Sequence, residues 1–182
     1  MSVQSFGWRD LRMAVTGAAT GGGAPAQTLF GPSPVIKQTS FGIGDSVYLA
    51  CHVDHDILEG STVYPHVHWS TSGTQVASVK WQLSYTFAAG HNTANFPAPT
   101  VITVEQAAHG TAWRHMITEH PTGFVVPDID SILLFELKRI TNGATNNTNT
   151  VFGLFVDLHY QTGQYATKNR TPNFFGEYIL IV

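Results

Sequence analysis

Strict alternation of apolar and polar residues is the feature that most constrains how this chain folds. In "VKWQLSYTF" every second residue is apolar, and the intervening residues are polar; the apolar ones are Val79, Trp81, Leu83, Tyr85 and Phe87. A period of two matches a β-strand, because successive side chains of a strand point to opposite faces of the sheet. The segment therefore predicts a strand with one buried face and one polar face.

The same alternation recurs in segments spread from Ser46 to the last residue. They are "SVYLACHV", "TVYPHVHW", "PTVITVEQ", "AWRHMITEH", "SILLFELKRI", "TVFGLFVDLHYQ" and "FGEYILIV". Loops rich in Gly, Pro, Asn and Asp separate them, and helical periodicity is limited to a possible short turn near Trp8 to Val15. Strands separated by such loops predict an all-β fold, an antiparallel β-sandwich of the jelly-roll type.

Residues 1–45 lack this alternation, and we expect them to form an N-terminal arm on a sandwich domain of residues 46–182. The segment "TGAATGGGAPAQ" is rich in Gly and Ala, a composition typical of flexible or extended chain. The preceding "WRDLRM" carries Trp8, Leu11 and Met13, apolar groups that a solvated tail does not need. These three are our candidates for contact with a partner subunit; a flexible tail and an extra strand of the domain are the alternatives.

Charge and composition exclude several classes of function. The net charge is −3, and no run of Lys or Arg is longer than Lys138-Arg139, so we expect no nucleic-acid binding. No apolar run has the length of a membrane span or of a signal-peptide core, and the single cysteine excludes an internal disulfide. Charged residues make up only 12%, which favours a surface that is neutral and polar or partly covered by other chains.

The segment "GSTVYPHVHW" raises the possibility of a metal site. A glycine, five residues and His-x-His resemble the start of the first metal-binding motif of cupins. Period two places His66 and His68 on one face of their strand, about 7 Å apart along it. If the "YLACHVDH" strand paired beside it, His52 would supply a third nitrogen, and three imidazoles would suit Zn²⁺ or Fe²⁺.

The rest of the cupin pattern is missing from the sequence. No carboxylate lies between Trp69 and Gly73, where the motif requires a glutamate, and no second motif follows. We therefore expect no metal, no cofactor and no catalytic residue, with His52, His66 and His68 as hydrogen-bonding groups on a polar or interfacial face. A cupin-like metalloprotein using His66 and His68 is the alternative, and the nine histidines also suggest a pH-sensitive assembly.

Three segments resemble structural proteins of tailed bacteriophages. "LEGSTVYPHVHWSTSG" and, shortly after it, "VKWQLSYTFAAG" are similar to a paired "YPHxHW" strand and "W-x-L-x-Y" strand of those proteins. "VDLHYQTGQYATKNRTPNFF" is similar to their endings, although this chain has extra residues between Gly163 and Thr167. The resemblance extends from Leu58 to Phe175 and leaves out the N-terminal arm.

This resemblance implies a non-enzymatic virion protein of jelly-roll type. Its leading role would be capsid decoration, by a homotrimer that binds and stabilises the shell of major capsid protein. The alternative role is a tail protein, either an adaptor or a module that binds a receptor or glycan. Either role implies synthesis in the cytoplasm of the bacterial host, final location in the virion and no contact with a membrane.

Overall fold

The computed structural model describes residues 7–126, 128–143, 145–163, 167 and 169–170. In these residues the chain forms strands and turns and no helix, hence none long and apolar enough to cross a membrane. The strands are β1 (Trp8–Ala14), β2 (Ala19–Thr20), β3 (Ala26–Phe30), β4 (Ile36–Phe41), β5 (Ser46–His52), β6 (Thr62–Thr71), β7 (Ser78–Ala89), β8 (Thr100–Ala107), β9 (Met116–Glu119), β10 (Phe124–Val125), β11 (Ser131–Ile140) and β12 (Val151–Gln161).

The strands form two antiparallel sheets. The first sheet has the order β10-β6-β12-β4-β3, with β1 also pairing with β12 and β9 also pairing with β6. The second sheet has the order β2-β5-β11-β7-β8. Eight of these strands, β4-β12-β6-β9 against β5-β11-β7-β8, have the strand order of a jelly roll, in which the chain crosses repeatedly between the sheets. The predicted all-β antiparallel sandwich is confirmed.

The core lies between the two sheets and is built from the inward-facing apolar side chains of each strand. Trp69 of β6 and Trp81 of β7 are fully buried, and the ring of Phe41 meets that of Trp81 edge-on with centroids 5.3 Å apart. The buried Trp69 indole Nε1 donates a hydrogen bond to Thr118 Oγ1 at 2.7 Å, so its polar atom is satisfied. The alternation read from "TVYPHVHW" and "VKWQLSYTF" thus assigns the inward faces of β6 and β7 correctly.

The prediction of an N-terminal arm separate from the sandwich was wrong, because strands of both sheets come from residues 8–41. β1 pairs with β12 along its whole length, from Trp8↔Gln161 to Ala14↔Phe155, and is a strand where a short helical turn was considered. Met13 is 3% exposed and Leu11 packs against the same core, so these two side chains are not available to a partner. Trp8 alone of the three candidates remains half exposed, on the outer face of the first sheet.

The Gly/Ala-rich segment is ordered against β5, and its glycines allow a close approach. Gly21 N donates to Ser46 O at 2.7 Å, and Ser46 N donates to Gly23 O at 3.3 Å. A Cβ atom added at Gly21 would collide with Ser46 Oγ, and one added at Gly23 would collide with the Asp45 carboxylate. The glycines therefore serve backbone packing, a role that composition alone does not distinguish from flexibility. The predicted last strand, "FGEYILIV", lies outside the described residues.

Candidate functional site

The outer face of the first sheet carries a cluster of histidines and carboxylates. Because Val63, Val67 and Trp69 point into the core, the residues between them on β6 point outward. Strand register brings His66 opposite Asp157 of β12 on one side and opposite Glu119 of β9 on the other. We call this cluster the histidine face; it consists of His66, His68, His115, Glu119, Asp157 and His159.

His66 lies at the centre of the histidine face and is 5% exposed. Its Nε2 is hydrogen-bonded to the Glu119 carboxylate, and its Nδ1 lies 3.5 Å from Asp157 Oδ1. The ring of His159 meets the His66 ring edge-on, with centroids 3.7 Å apart. The imidazole therefore has one carboxylate at each of its two nitrogens.

His68 links Asp157 to a further imidazole. Its Nε2 lies 3.0 Å from Asp157 Oδ2, and its Nδ1 lies 2.8 Å from His115 Nε2. The rings of His68 and His115 are stacked, with centroids 5.0 Å apart. Burial and then the neighbouring His68 lower the pKa of His115, against an opposite effect of Asp157. A neutral His115 can accept, at its Nε2, a hydrogen bond from the N–H at His68 Nδ1.

Asp157 is buried, and one of its oxygens has no hydrogen-bond partner in the described part of the chain. Its side chain is 6% exposed, and Oδ1 is the unpaired atom. One ligand atom each from His66, His68 and Asp157 lies within 4.8 Å of the others, and the same holds for His66, Glu119 and His159. The histidine face therefore offers two overlapping sets of donor atoms to a cation.

His52 does not join this face, which corrects the three-histidine site considered from the sequence. β5 lies in the second sheet and does not pair with β6, so His52 faces a different part of the molecule. His52 Nε2 lies 2.6 Å from Asp130 Oδ1, and His91 Nε2 lies 2.5 Å from Oδ2 of the same carboxylate. His55 Nε2 is 3.5 Å from Asp130 Oδ1. We call these four residues the Asp130 cluster.

The charge state of Asp130 reflects its three imidazole neighbours. Burial acts to raise the pKa of Asp130, but the hydrogen bond from His52 and the charges of His52, His91 and His55 outweigh it. The net effect is a pKa below the ordinary value of 3.8. Asp130 also has a φ of 63°, a left-handed backbone conformation that Asp and Asn adopt more readily than most residues. The cluster thus holds an ionised carboxylate at the tip of a turn.

Sequence reasoning found two members of the buried donor set, His66 and His68, and missed the third, Asp157. Asp157 and His159 stand in "VDLHYQ" with the same spacing of two as His66 and His68, which is the signal that was available. What joins the two pairs is the antiparallel pairing of β12 with β6, between residues about 90 positions apart in the chain. Glu119 was also missed, because the pairing of β9 with β6, which brings it to His66, is not visible in the sequence.

Two other surfaces expose apolar side chains. The hairpin of β3 and β4 carries Leu29, Val35 and Ile36, which are 48%, 90% and 59% exposed; we call this set the hairpin edge. Among the described residues β3 pairs with β4 alone, so its other side is open. The outer face of the second sheet holds a groove of about 480 Å³, lined by Tyr48, Leu49, Ala50, Ser84, Thr86, Pro99, Leu134, Phe135 and Glu136.

No family model and no curated protein matches this sequence. Among solved structures, a CBM35 from Cellvibrio japonicus Abf62 aligns with a TM-score of 0.42 and 14% identity, over 81% of this chain and 92% of that chain. A family 6 carbohydrate-binding module from Clostridium cellulolyticum, in complex with xylose, has a TM-score of 0.38 and 12% identity, over 83% and 95%. A structure of infectious bursal disease virus, Gt strain, has a TM-score of 0.37 and 12% identity, over 89% and 34%. At these values the fold assignment rests on the strand order of the chain itself.

Proposed function

We propose that this chain is a non-enzymatic structural protein of a tailed-phage virion, a decoration protein that binds and stabilises the shell of major capsid protein. The observation that carries the proposal is the hairpin edge, an open strand edge flanked by exposed apolar side chains. Such an edge is a template for another chain unless it is covered. The phage-type motifs support a location in the virion, reached after synthesis in the bacterial cytoplasm.

The energetics of the hairpin edge favour coverage by a partner. Fully burying a Val, Leu or Ile side chain contributes about 1.5–3 kcal/mol. Val35 is almost fully exposed, and Ile36 and Leu29 are each about half exposed, so covering all three would contribute about 3–6 kcal/mol. An added strand from the partner would also supply hydrogen bonds to the open side of β3. We expect the assembled form to be a homotrimer, in which the edge faces the capsid subunits.

The absence of catalysis is part of the proposal and is supported by how the reactive groups are placed. Burial, and then the charge of Asp54, raise the pKa of Cys51 to about 12, so its thiol stays protonated and unreactive. Thr167 Oγ1 lies 2.7 Å from His55 Nδ1, which suggests a nucleophile and a base. However, the orienting carboxylate Asp130 is 3.5 Å from His55 and already pairs with His52 at 2.6 Å. Asp130 thus does not hold His55 in the way that the carboxylate of a catalytic triad holds its histidine.

Binding to capsids tests the proposal directly. The full chain is mixed with undecorated, expanded capsids of the phage that encodes it, and co-sedimentation is measured across protein concentrations. We expect saturable binding with hundreds of copies per particle. Val35→Ser with Ile36→Ser should weaken binding about 100-fold, since about 3 kcal/mol of apolar burial is lost. Val101→Ser, a half-exposed position on β8 of the other sheet, is the matched control and should bind normally.

Absence of co-sedimentation would overturn the decoration role. Equal binding of the hairpin variant and of the control would show that the contact lies elsewhere on the molecule. Copy number separates decoration from the tail role, because tail proteins are present in tens of copies at most. Quantitative gels of the pelleted particles give both the amount of bound protein and its copy number per particle.

A second function, glycan binding by a tail module, is favoured by the groove on the second sheet. The groove combines the half-exposed ring of Tyr48 with the hydroxyl groups of Ser84 and Thr86 and the carboxylate of Glu136. An aromatic ring beside hydrogen-bonding groups is the chemistry that a sugar ring needs. Screening the chain against host surface glycans should give a hit that Tyr48→Ala removes and Trp8→Ala retains. A screen without hits would remove this function.

A further inference from the structure

The two oxygens of Asp157 have different environments. Oδ2 pairs with His68 Nε2 at 3.0 Å, whereas Oδ1 has no hydrogen-bond partner in the described part of the chain. His66 Nδ1, 3.5 Å from Oδ1, is beyond hydrogen-bonding distance. Buried carboxylate oxygens are nearly always paired with a donor or a cation, because removing them from water is unfavourable. Oδ1 therefore points to a positive group that completes the site.

His66 cannot satisfy both carboxylates while it is neutral. A neutral imidazole carries one N–H, and the hydrogen bond from Nε2 to Glu119 uses it. Nδ1 is then an unprotonated nitrogen with a lone pair, and it faces Asp157 Oδ1, which also carries lone pairs. Two lone pairs directed at each other repel, unless a cation lies between them. The alternative is an imidazolium that donates from both nitrogens.

We propose that His66, His68 and Asp157 bind one divalent transition-metal ion, Zn²⁺ in the first place. The ligands would be His66 Nδ1, His68 Nε2 and the Asp157 carboxylate, and one ligand atom from each of these residues lies within 4.8 Å of the others. Atoms that share a tetrahedral Zn²⁺ at about 2.0–2.1 Å lie about 3.3 Å apart. The observed separations of Asp157 from His68 and His66, 3.0 and 3.5 Å, span that value. Two nitrogens and one oxygen suit Zn²⁺, and three protein ligands leave a fourth position open.

The second ring nitrogen of each proposed histidine ligand already has a partner. His66 Nε2 pairs with Glu119, and His68 Nδ1 pairs with His115 Nε2 at 2.8 Å. A metal-binding histidine almost always donates its other N–H to a carboxylate or similar acceptor, which fixes the ring and raises its basicity. Glu119 and His115 are therefore positioning residues for the two imidazoles.

The overlapping set of His66, Glu119 and His159 is the weaker site. Glu119 and His159 are 51% and 37% exposed in their side chains, so water competes with a metal for both. His159 Nε2 is also engaged by Asp10 Oδ1 at 2.6 Å. Asp157 and His66 are buried, and among the described residues Asp157 Oδ1 has no hydrogen-bond partner. A metal held there ties β6 to β12, the neighbouring strands that pair at the middle of the first sheet.

A zinc titration of the isolated chain tests the proposal without capsids, so its result is independent of the proposed virion role. The chain is stripped with a chelator, the chelator is removed, and ZnCl₂ is titrated calorimetrically. We expect one equivalent per chain with a Kd below about 10 μM. Co²⁺ in place of Zn²⁺ should give the intense visible bands of a four-coordinate site.

Matched variants locate the site. Asp157→Asn and His68→Gln should each weaken zinc binding about 100-fold or more, and Glu119→Gln about 10-fold, since a positioning residue typically affects affinity by 10–100-fold. Asp130→Asn is the control from the other histidine cluster and should bind as wild type. His68 is partly exposed, so His68→Gln carries the test if Asp157→Asn does not fold, as judged by circular dichroism.

Three results would overturn the proposal. The first is a folded wild-type chain that takes up less than a tenth of an equivalent of zinc, which would favour the imidazolium. The second is zinc binding that survives Asp157→Asn and His68→Gln but is lost in His159→Gln, which would assign the other donor set. The third is loss of binding in Asp130→Asn alone.

Discussion

The histidine face and the Asp130 cluster contain the same kinds of side chain and differ in how well they are satisfied. In the Asp130 cluster one carboxylate is shared by three imidazoles, and both of its oxygens have a histidine nitrogen within 2.6 Å. In the histidine face, His66 serves two carboxylates, and Asp157 Oδ1 is left without a partner among the described residues. In the Asp130 cluster each carboxylate oxygen therefore has a histidine nitrogen beside it, whereas in the histidine face one buried carboxylate oxygen has no donor among the described residues.

This difference separates a cluster that holds a loop from one that can hold an ion. Asp130 sits in a turn, is hydrogen-bonded to His52 at the end of β5 and forms an ion pair with His91, which ties these segments together. Asp157 lies in the middle of a sheet, where the backbone already fixes the strands and no side-chain link is needed for the fold. A buried unpaired carboxylate at such a position is unfavourable unless it has a ligand. Histidine content alone therefore does not identify a metal site.

The largest effect expected from this comparison is the response of stability to zinc. At a free Zn²⁺ concentration 100 times the Kd, we expect the free energy of unfolding of the wild type to rise by about 2.7 kcal/mol. Asp157→Asn should lose this increment, because it removes a ligand, and Asp130→Asn should keep it in full. Urea denaturation with and without zinc measures all three. A zinc increment of equal size in both variants would remove the distinction between the clusters.

The next effect is a loss of stability in Asp130→Asn. Asparagine tolerates the left-handed backbone at this position, so the change removes charge without a new conformational penalty. Hydrogen bonds to a charged group contribute about 1.5–3 kcal/mol when shielded and less when exposed, so we expect a loss of about 1–2 kcal/mol at pH 7. Asp128→Asn, two residues away, is the control and should change stability by less than about 0.5 kcal/mol.

The effect of Asp130→Asn should also depend on pH in a defined direction. The pKa of Asp130 is lower in the folded chain than its ordinary value of 3.8. A group of this kind stabilises the fold above the unfolded-state pKa, and the contribution is lost as pH falls through the folded-state pKa. The part of the difference in unfolding free energy that comes from the Asp130 charge should therefore shrink as the pH falls below about 4. A difference that grew as the pH fell below about 4 would contradict the assigned direction.

The inward and outward faces of the strands could be predicted from the sequence, and the pairing of strands could not. "TVYPHVHW" places Val63, Val67 and Trp69 inward and His66 outward, as the structure shows. The prediction failed at "TGAATGGGAPAQ", because close backbone packing and disorder favour the same glycine content. It also failed at "AWRHMITEH", where the strand begins only at Met116. Trp113 has a φ of 65°, a conformation that the sequence does not signal.

For the candidate site, the sequence indicates which residues share a strand face and leaves open which strands are neighbours. His66 and His68 form a pair on β6, and Asp157 and His159 form a pair on β12, each by period two. Only the register His66↔Asp157 brings the pairs together, and register between distant strands is set by the whole hydrophobic pattern. His52, which was considered as a third ligand if its strand paired with β6, lies in the other sheet.

The smallest expected effect has the opposite sign and tests the unpaired oxygen itself. In metal-free protein, Asp157→Asn replaces a buried carboxylate, of which only one oxygen has a hydrogen-bond partner among the described residues, by a neutral amide of the same shape. The amide NH₂ group can donate a hydrogen bond to His66 Nδ1. We expect the free energy of unfolding in the absence of zinc to rise by about 1 kcal/mol, because a desolvated charge is removed and a hydrogen bond is gained. Asp10→Asn, an exposed carboxylate that pairs with His159 on the same face, is the control and should lower stability slightly. Chelator-treated samples in urea give both values. If Asp157→Asn destabilised the metal-free chain by as much as Asp130→Asn does, Asp157 would be satisfied without a metal, as Asp130 is.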